Sequence, residues 1–157
     1  MKNNRTRELS QRIRYALIAG MAGAFLMPQI ALAAPTGGSV VGGSAEATIT
    51  QSGNTTNIAP AGTNQNKVIQ WQDYSVAHGE HVIYDGGAHT NNYLNIVTGA
   101  NTSNINGTIK GGNHVYIVNP NGVIFGKNAE VNVGHLHVST QAISTVNTAA
   151  DMANNVS

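Results

Sequence analysis

His135 and His137 stand two residues apart, His135 just before and His137 within the run Leu136-His-Val-Ser139. In an extended strand both rings point to one side, where an imidazole pair can hold a metal ion. The chain has no cysteine, and Glu130 is the only acid close to this pair in sequence. Two imidazoles without further ligands make a poor site, so no metal is expected here. His78-Gly-Glu-His81 lacks the spacing of a zinc-protease helix and lies in turn-like sequence. Glu80 and Asp85 are the nearest acids in the chain, and strand geometry gives no reason to join them for acid–base work. There is no Gly-x-Ser-x-Gly elbow to carry a nucleophile. These side chains predict no catalytic residue and no cofactor.

The tetrapeptide Asn119-Pro120-Asn121-Gly122 is more informative. Pro120 fixes φ near −65° and donates no N–H, while Asn121 and Gly122 tolerate positive φ. The flanking runs Val115-Tyr-Ile-Val118 and Val123-Ile-Phe125 are β-branched or aromatic, so the reading is strand, tight turn, strand. Similar short runs occur at Lys67–Trp71, His81–Tyr84, Tyr93–Val97, Ile105–Ile109, Glu130–Val133 and Leu136–Ser139. Nearly every gap between them contains Gly, Asn or Asp. The chain is therefore all-β.

From Tyr93 onward the runs start at 93, 105, 115, 123, 130 and 136. Every third start is 20 to 30 residues apart, the length of one coil of a three-sided parallel β-helix. The inward positions of such a helix would include Val82, Ile96, Ile117, Ile124 and Val133. Asparagines at its corners would stack into hydrogen-bonded ladders. A β-sandwich has similar spacing and stays open on this count alone. Trp71, Tyr74, Tyr84 and Tyr93 would form an aromatic contact strip if they faced outward, whereas aromatic residues in half-buried strands usually pack inward.

Residues 1–33 read as a Sec signal peptide. Lys2, Arg5, Arg7, Arg12 and Arg14 precede an apolar run from Tyr15 to Met27, and cleavage is expected between Ala33 and Ala34. An uncleaved anchor is the competing reading, but Gly20 and Gly23 interrupt a run already short for a membrane span. Without this segment three lysines face six acids, and the net charge changes from +1 to −3. That balance excludes a basic footprint for nucleic acid. The lack of cysteine suits a chain that crosses an outer membrane unfolded, and equally a β-stack long enough to need no cross-link.

Several segments together resemble a known family. They are the Gly-rich lead-in from Pro35 to Ala45, Gln51-Ser-Gly-Asn54, Val68-Ile-Gln-Trp-Gln-Asp-Tyr-Ser-Val76, Leu94-Asn-Ile-Val-Thr-Gly99, Gly107-Thr-Ile109 and Val118-Asn-Pro-Asn-Gly-Val-Ile-Phe-Gly-Lys-Asn-Ala129. In this order they resemble the N-terminal secretion domain of two-partner-secretion exoproteins, the filamentous haemagglutinin family. The resemblance runs from about Pro35 to Thr140. It implies a right-handed parallel β-helix over residues 34–140 that targets an adhesin-like exoprotein for export. The implied route is the Sec machinery, the periplasm, and then a TpsB-type outer-membrane transporter with POTRA-like periplasmic domains. The implied destination is the surface or surroundings of a Gram-negative bacterium, with folding outside the cell.

Asn119, Pro120, Asn121 and Gly122 match the family's secretion motif, while a second motif, Asn-Pro-Asn-Leu, has only a partial counterpart in Asn91, Asn92, Tyr93 and Leu94. Contacts with host-cell glycans or proteins would fall to regions downstream of this domain. Residues 141–157 read as a polar tail or an incomplete cap, with a short helix conceivable around 149–154, so the helix is expected to be truncated at this end. The competing function is a stand-alone carbohydrate-binding or carbohydrate-active β-helix, which the aromatic strip would serve.

Overall fold

The computed structural model describes residues 34–41, 47–85 and 90–143. The expected signal peptide with its Ala33 boundary, His89 and all of the tail beyond Ile143 lie outside the described residues. Within them the chain forms strands and turns and no helix. The strands are β1 (Ser39–Val40), β2 (Ala47–Ser52), β3 (Thr55–Pro60), β4 (Asn66–Trp71), β5 (His81–Tyr84) and β6 (Asn92–Val97). They continue as β7 (Ser103–Ile105), β8 (Thr108–Gly111), β9 (His114–Val118), β10 (Val123–Phe125), β11 (Glu130–Asn132) and β12 (His135–Ser139).

Three sheets wrap one core. The first has the order β1-β4-β6-β9-β12, the second β11-β8-β5-β3-β2, and the third pairs β10 with β7. A bridge from Val76 to Ile105 extends the third sheet by one coil. Along the first sheet Asn66, Asn92, His114 and His135 lie over one another, steps of 26, 22 and 21 residues. Along the second, Thr55, His81, Thr108 and Glu130 are 26, 27 and 22 apart. These are the coil lengths expected from the strand spacing, and the pairing is parallel throughout the coils. The architecture is a parallel β-helix, and the sandwich alternative falls.

Two strands break the parallel rule, both at the N-terminal end. β1 pairs antiparallel with β4, and β2 pairs antiparallel with β3. The β2–β3 hairpin closes at Gly53-Asn54, where Gly53 has φ of 57°. A left-handed residue in a two-residue hairpin loop matches the right-handed twist of the strands, which is why glycine sits there.

The core alternates with the pleat. Ile69, Tyr93, Val97, Val115 and Ile117 point inward from the first sheet and meet Ile58, Val82, Tyr84 and Ile109 from the second. Trp71, Tyr74, Tyr84 and Tyr93 are all at most 1% exposed. The Trp71 ring meets Tyr74 edge-on at 5.6 Å, and Tyr84 lies 4.9 Å from Tyr93. The hydroxyls of Tyr74 and Tyr84 are 2.7 Å apart and bonded to each other. These four rings build the interior and form no outward strip.

Of the inward positions expected from sequence, Val82 and Ile117 are in this core and Val133 packs against it. Two were on the wrong face. Ile96 belongs to a separate outer cluster with Val68, Leu94 and Val118, and Ile124 is 56% exposed. The reason for the first lies in Asn95. It takes the inward slot over Ile69, fully buried, and accepts the Trp71 indole N–H at 2.9 Å. It also donates to the Tyr116 carbonyl at 3.1 Å. One polar residue inside reverses the apparent parity of its neighbours. Ile124 pairs with the exposed Asn104, so the same alternation carries it outward.

Some corners leave no room for an added atom where coils stack. A Cβ on Gly107 would lie 2.2 Å from the Ala77 carbonyl oxygen and 2.6 Å from that of Glu80. Gly107→Ala is expected to destabilise the protein by about 1–3 kcal/mol, as overpacking does. Gly112→Ala, with nothing within 4 Å of the added carbon, should leave the denaturant midpoint within about 0.5 kcal/mol of wild type. A second expectation concerns alkali. Burial, with a smaller effect of Asp85, pushes the Tyr93 phenol up to about 12 from an ordinary 10.0. Burial raises Tyr74 and Tyr84 as well. The folded state thus keeps protons that the unfolded chain releases, and this contribution is intact below pH 10.0 and lost as pH rises toward about 12. Circular dichroism through an alkaline titration should show cooperative unfolding in that window. Tyrosine ionisation before any loss of structure would contradict it.

Candidate functional site

Asn119-Pro120-Asn121-Gly122 forms the corner between β9 and β10. The Gly122 N–H donates to the Asn119 carbonyl at 3.0 Å, closing a four-residue turn. Asn at the first position, Pro at the second and Gly at the fourth is the preference of a type I turn. Among the described residues none other than glycine takes positive φ, and Gly122 has φ of 103°, so the freedom expected of both Asn121 and Gly122 is used by Gly122 alone.

Asn119 is fully buried, while Pro120 and Asn121 are exposed. Its Nδ2 donates to the Asn101 carbonyl and to Ser103 Oγ, both at 2.9 Å. Its Oδ1 accepts from the Asn121 backbone N–H at 2.9 Å and from Asn121 Nδ2 at 3.2 Å. An asparagine amide has two donors and two acceptor sites, and all four are in use. Asn121 Nδ2 also reaches the Gly99 carbonyl at 2.9 Å, and Thr102 Oγ1 donates to the Asn121 carbonyl at 2.8 Å. The motif is thus bonded to the preceding coil's corner, residues 99–103.

This corner continues in both directions. Asn101 Nδ2 donates to Asp73 Oδ2 at 3.2 Å, and Thr36 N–H donates to the Asp73 carbonyl at 2.9 Å. On the other side, the Asn119 N–H donates to Ser139 O at 3.0 Å. One column of corners therefore links the N-terminal segment to the last described coil. Sequence reasoning found the motif and missed its partners Gly99, Asn101, Thr102 and Ser103. Their signal was an Asn-Thr-Ser cluster one coil before the motif.

The partial second motif spans the end of a corner, at Asn91, and the start of β6, at Asn92, Tyr93 and Leu94. Asn91 is buried, and its N–H donates to Asn113 Oδ1 at 3.1 Å. Asn92 Nδ2 donates to Asn66 Oδ1 at 2.8 Å, an asparagine ladder between successive coils. Tyr93 points into the core and Leu94 into the outer cluster. The two motifs sit at opposite ends of the first sheet and are not brought together. Ala34, beside the expected cleavage point, is half-buried and outside any strand.

His135 and His137 do share one face, with His114 under His135 at 4.5 Å between rings and Tyr116 near His137 at 5.7 Å. Among the described residues no three His, Asp or Glu side chains gather as a metal site. Glu80 is buried and accepts the Ala77 N–H at 2.9 Å, so this carboxylate closes a turn.

Comparison with known proteins agrees with this geometry. The family model for the TPS secretion domain matches residues 31–155. A heme/hemopexin-binding protein of Haemophilus influenzae is 34% identical over 113 residues, 71% of this chain and 12% of that protein. A second protein of that name and organism is 31% identical over 78 residues, half of this chain and 8% of the relative. The crystal structure of the HMW1 secretion domain from Haemophilus influenzae matches with a TM-score of 0.63 and 29% identity. That match covers 71% of this chain and 28% of the HMW1 chain.

Asn119→Ala would strand the Asn121 N–H and leave a small void in the corner. The expected loss is about 1–3 kcal/mol, read as a shift in the urea unfolding midpoint. Pro120→Ala, which touches none of these bonds, should cost less than about 1 kcal/mol.

Proposed function

This chain belongs to the TPS secretion domain family, and we propose that its Asn119–Gly122 corner serves export twice, first as unfolded sequence and then as a lock on the folded coil. The domain is the secretion-targeting part of an exoprotein. On the proposed route it crosses the periplasm after Sec export and is taken up by POTRA-like periplasmic domains of a TpsB-type outer-membrane transporter. The observation that carries the proposal is the saturation of Asn119. Its side chain is fully buried with every polar atom bonded, so the folded domain has none of it to offer a receptor. A transporter that reads this residue reads it before folding. Once outside, closing the corner bonds the emerging coil to the one before it and opposes return.

The carbohydrate-binding alternative loses its support, because the four aromatic residues that would have served it are interior. The relatives above are named for binding and for secretion, not for catalysis. The chain spans about an eighth of the length of the first of them, so heme or hemopexin binding is not carried over to it.

The test is the Asn119→Ala/Asn121→Ala double variant expressed with its transporter. Extracellular yield should fall at least about tenfold while cell-associated expression stays at the wild-type level. Equal amounts of wild type and variant in the medium would refute the proposal.

A further inference from the structure

Asn121–Gly122 carries a reactivity of its own, which the folded corner suppresses. The backbone nitrogen after an asparagine can attack the side-chain amide, and glycine, without a Cβ, hinders that attack least. We propose that Asn121 is a spontaneous deamidation site of the unfolded chain, shielded by folding, whose conversion removes the chain's ability to close this corner properly.

In the unfolded chain Gly122 N bonds to Asn121 Cγ, the Cγ–Nδ2 bond breaks, and ammonia leaves with the proton that Gly122 N gives up. The five-membered imide is then opened by water at either carbonyl, giving aspartate or isoaspartate. The net change is amide plus water to carboxylate plus ammonium, with no redox step.

The fold holds both reacting ends away from this path. Gly122 N–H is bonded to the Asn119 carbonyl at 3.0 Å. Asn121 Nδ2 is tied to Gly99 O at 2.9 Å and to Asn119 Oδ1 at 3.2 Å. Attack requires the side chain to leave both acceptors and swing back over Gly122. The product also fits badly. A carboxylate has no donor, so its oxygen would face the Gly99 carbonyl and Asn119 Oδ1, acceptor against acceptor. Isoaspartate adds a methylene to the main chain and displaces Gly122, whose carbonyl accepts the Ser103 N–H at 3.0 Å. The cellular consequence rests on the reading of unfolded transit: a chain held unfolded too long carries a corner that closes poorly. The chemistry itself does not depend on that reading.

The purified chain is incubated at mildly alkaline pH, once folded and once in guanidinium chloride. Peptide mass spectrometry follows the amide-to-acid mass gain and isoaspartate at residue 121. Conversion should be at least about tenfold faster unfolded than folded, because the folded site reacts only through local opening. The Gly122→Ala chain, compared only in denaturant, should convert several-fold more slowly. Asn121→Asp should unfold at lower denaturant than wild type, or fail to fold. Equal rates in the folded and unfolded chains overturn the proposal, as does a wild-type midpoint for Asn121→Asp. Loss of secretion in other variants bears on neither result.

Discussion

Parallel strands cannot be joined by a two-residue hairpin, so each coil must travel around the core and return in register above its starting point. At every corner the backbone leaves its ladder, and the freed N–H and C=O groups need new partners. The rest of this structure depends on how those groups are satisfied. Here the answer is mostly asparagine. Asn119 bonds to the coil before it, Asn113 accepts the Asn91 N–H, and Asn106 Oδ1 accepts the Asn128 N–H at 3.1 Å. A short amide side chain offers donor and acceptor together, so it can replace a missing stretch of ladder without introducing charge. Glycine does the complementary work at Gly99 and Gly107, where neighbouring coils come too close for a Cβ.

Much of this was legible in the chain. Turn residues marked the corners, the strand starts gave the coil length, and the Asn-Pro-Asn-Gly segment gave a turn. Face assignment was less legible, and for one reason. Alternation fixes which residues share a face but not which face is inside, and Leu94-Asn-Ile96 looks like two core residues around a surface asparagine. Asn95 is inside because the Trp71 indole and the Tyr116 carbonyl need it there. The corner partners of Asn119 were hidden for a related reason: they lie one coil away, and only the register identifies them.

Stability and export make opposite demands on such a domain. On the proposed route the chain is threaded through a membrane pore and benefits from little local structure beforehand, and a parallel β-helix has little. Strand pairings here join residues some 20 to 30 positions apart, as from Thr108 to Glu130 or from Asn66 to Asn92. Contacts of that span form late, after loop closure. The exception is the β2–β3 hairpin, whose partners meet across Gly53-Asn54. It is the one sheet pairing among the described strands that could form without a neighbouring coil.

That hairpin and β1 also give the molecule a direction. At the N-terminal end the outermost strands run against the helix, β1 is two residues long, and Thr48, Thr50 and Gln51 of β2 are exposed. In the last described coil Phe125, Leu136 and Val138 remain 37–42% exposed. Because β1 and β2 run against the coils, another coil added at the N-terminal end could not continue the parallel ladder.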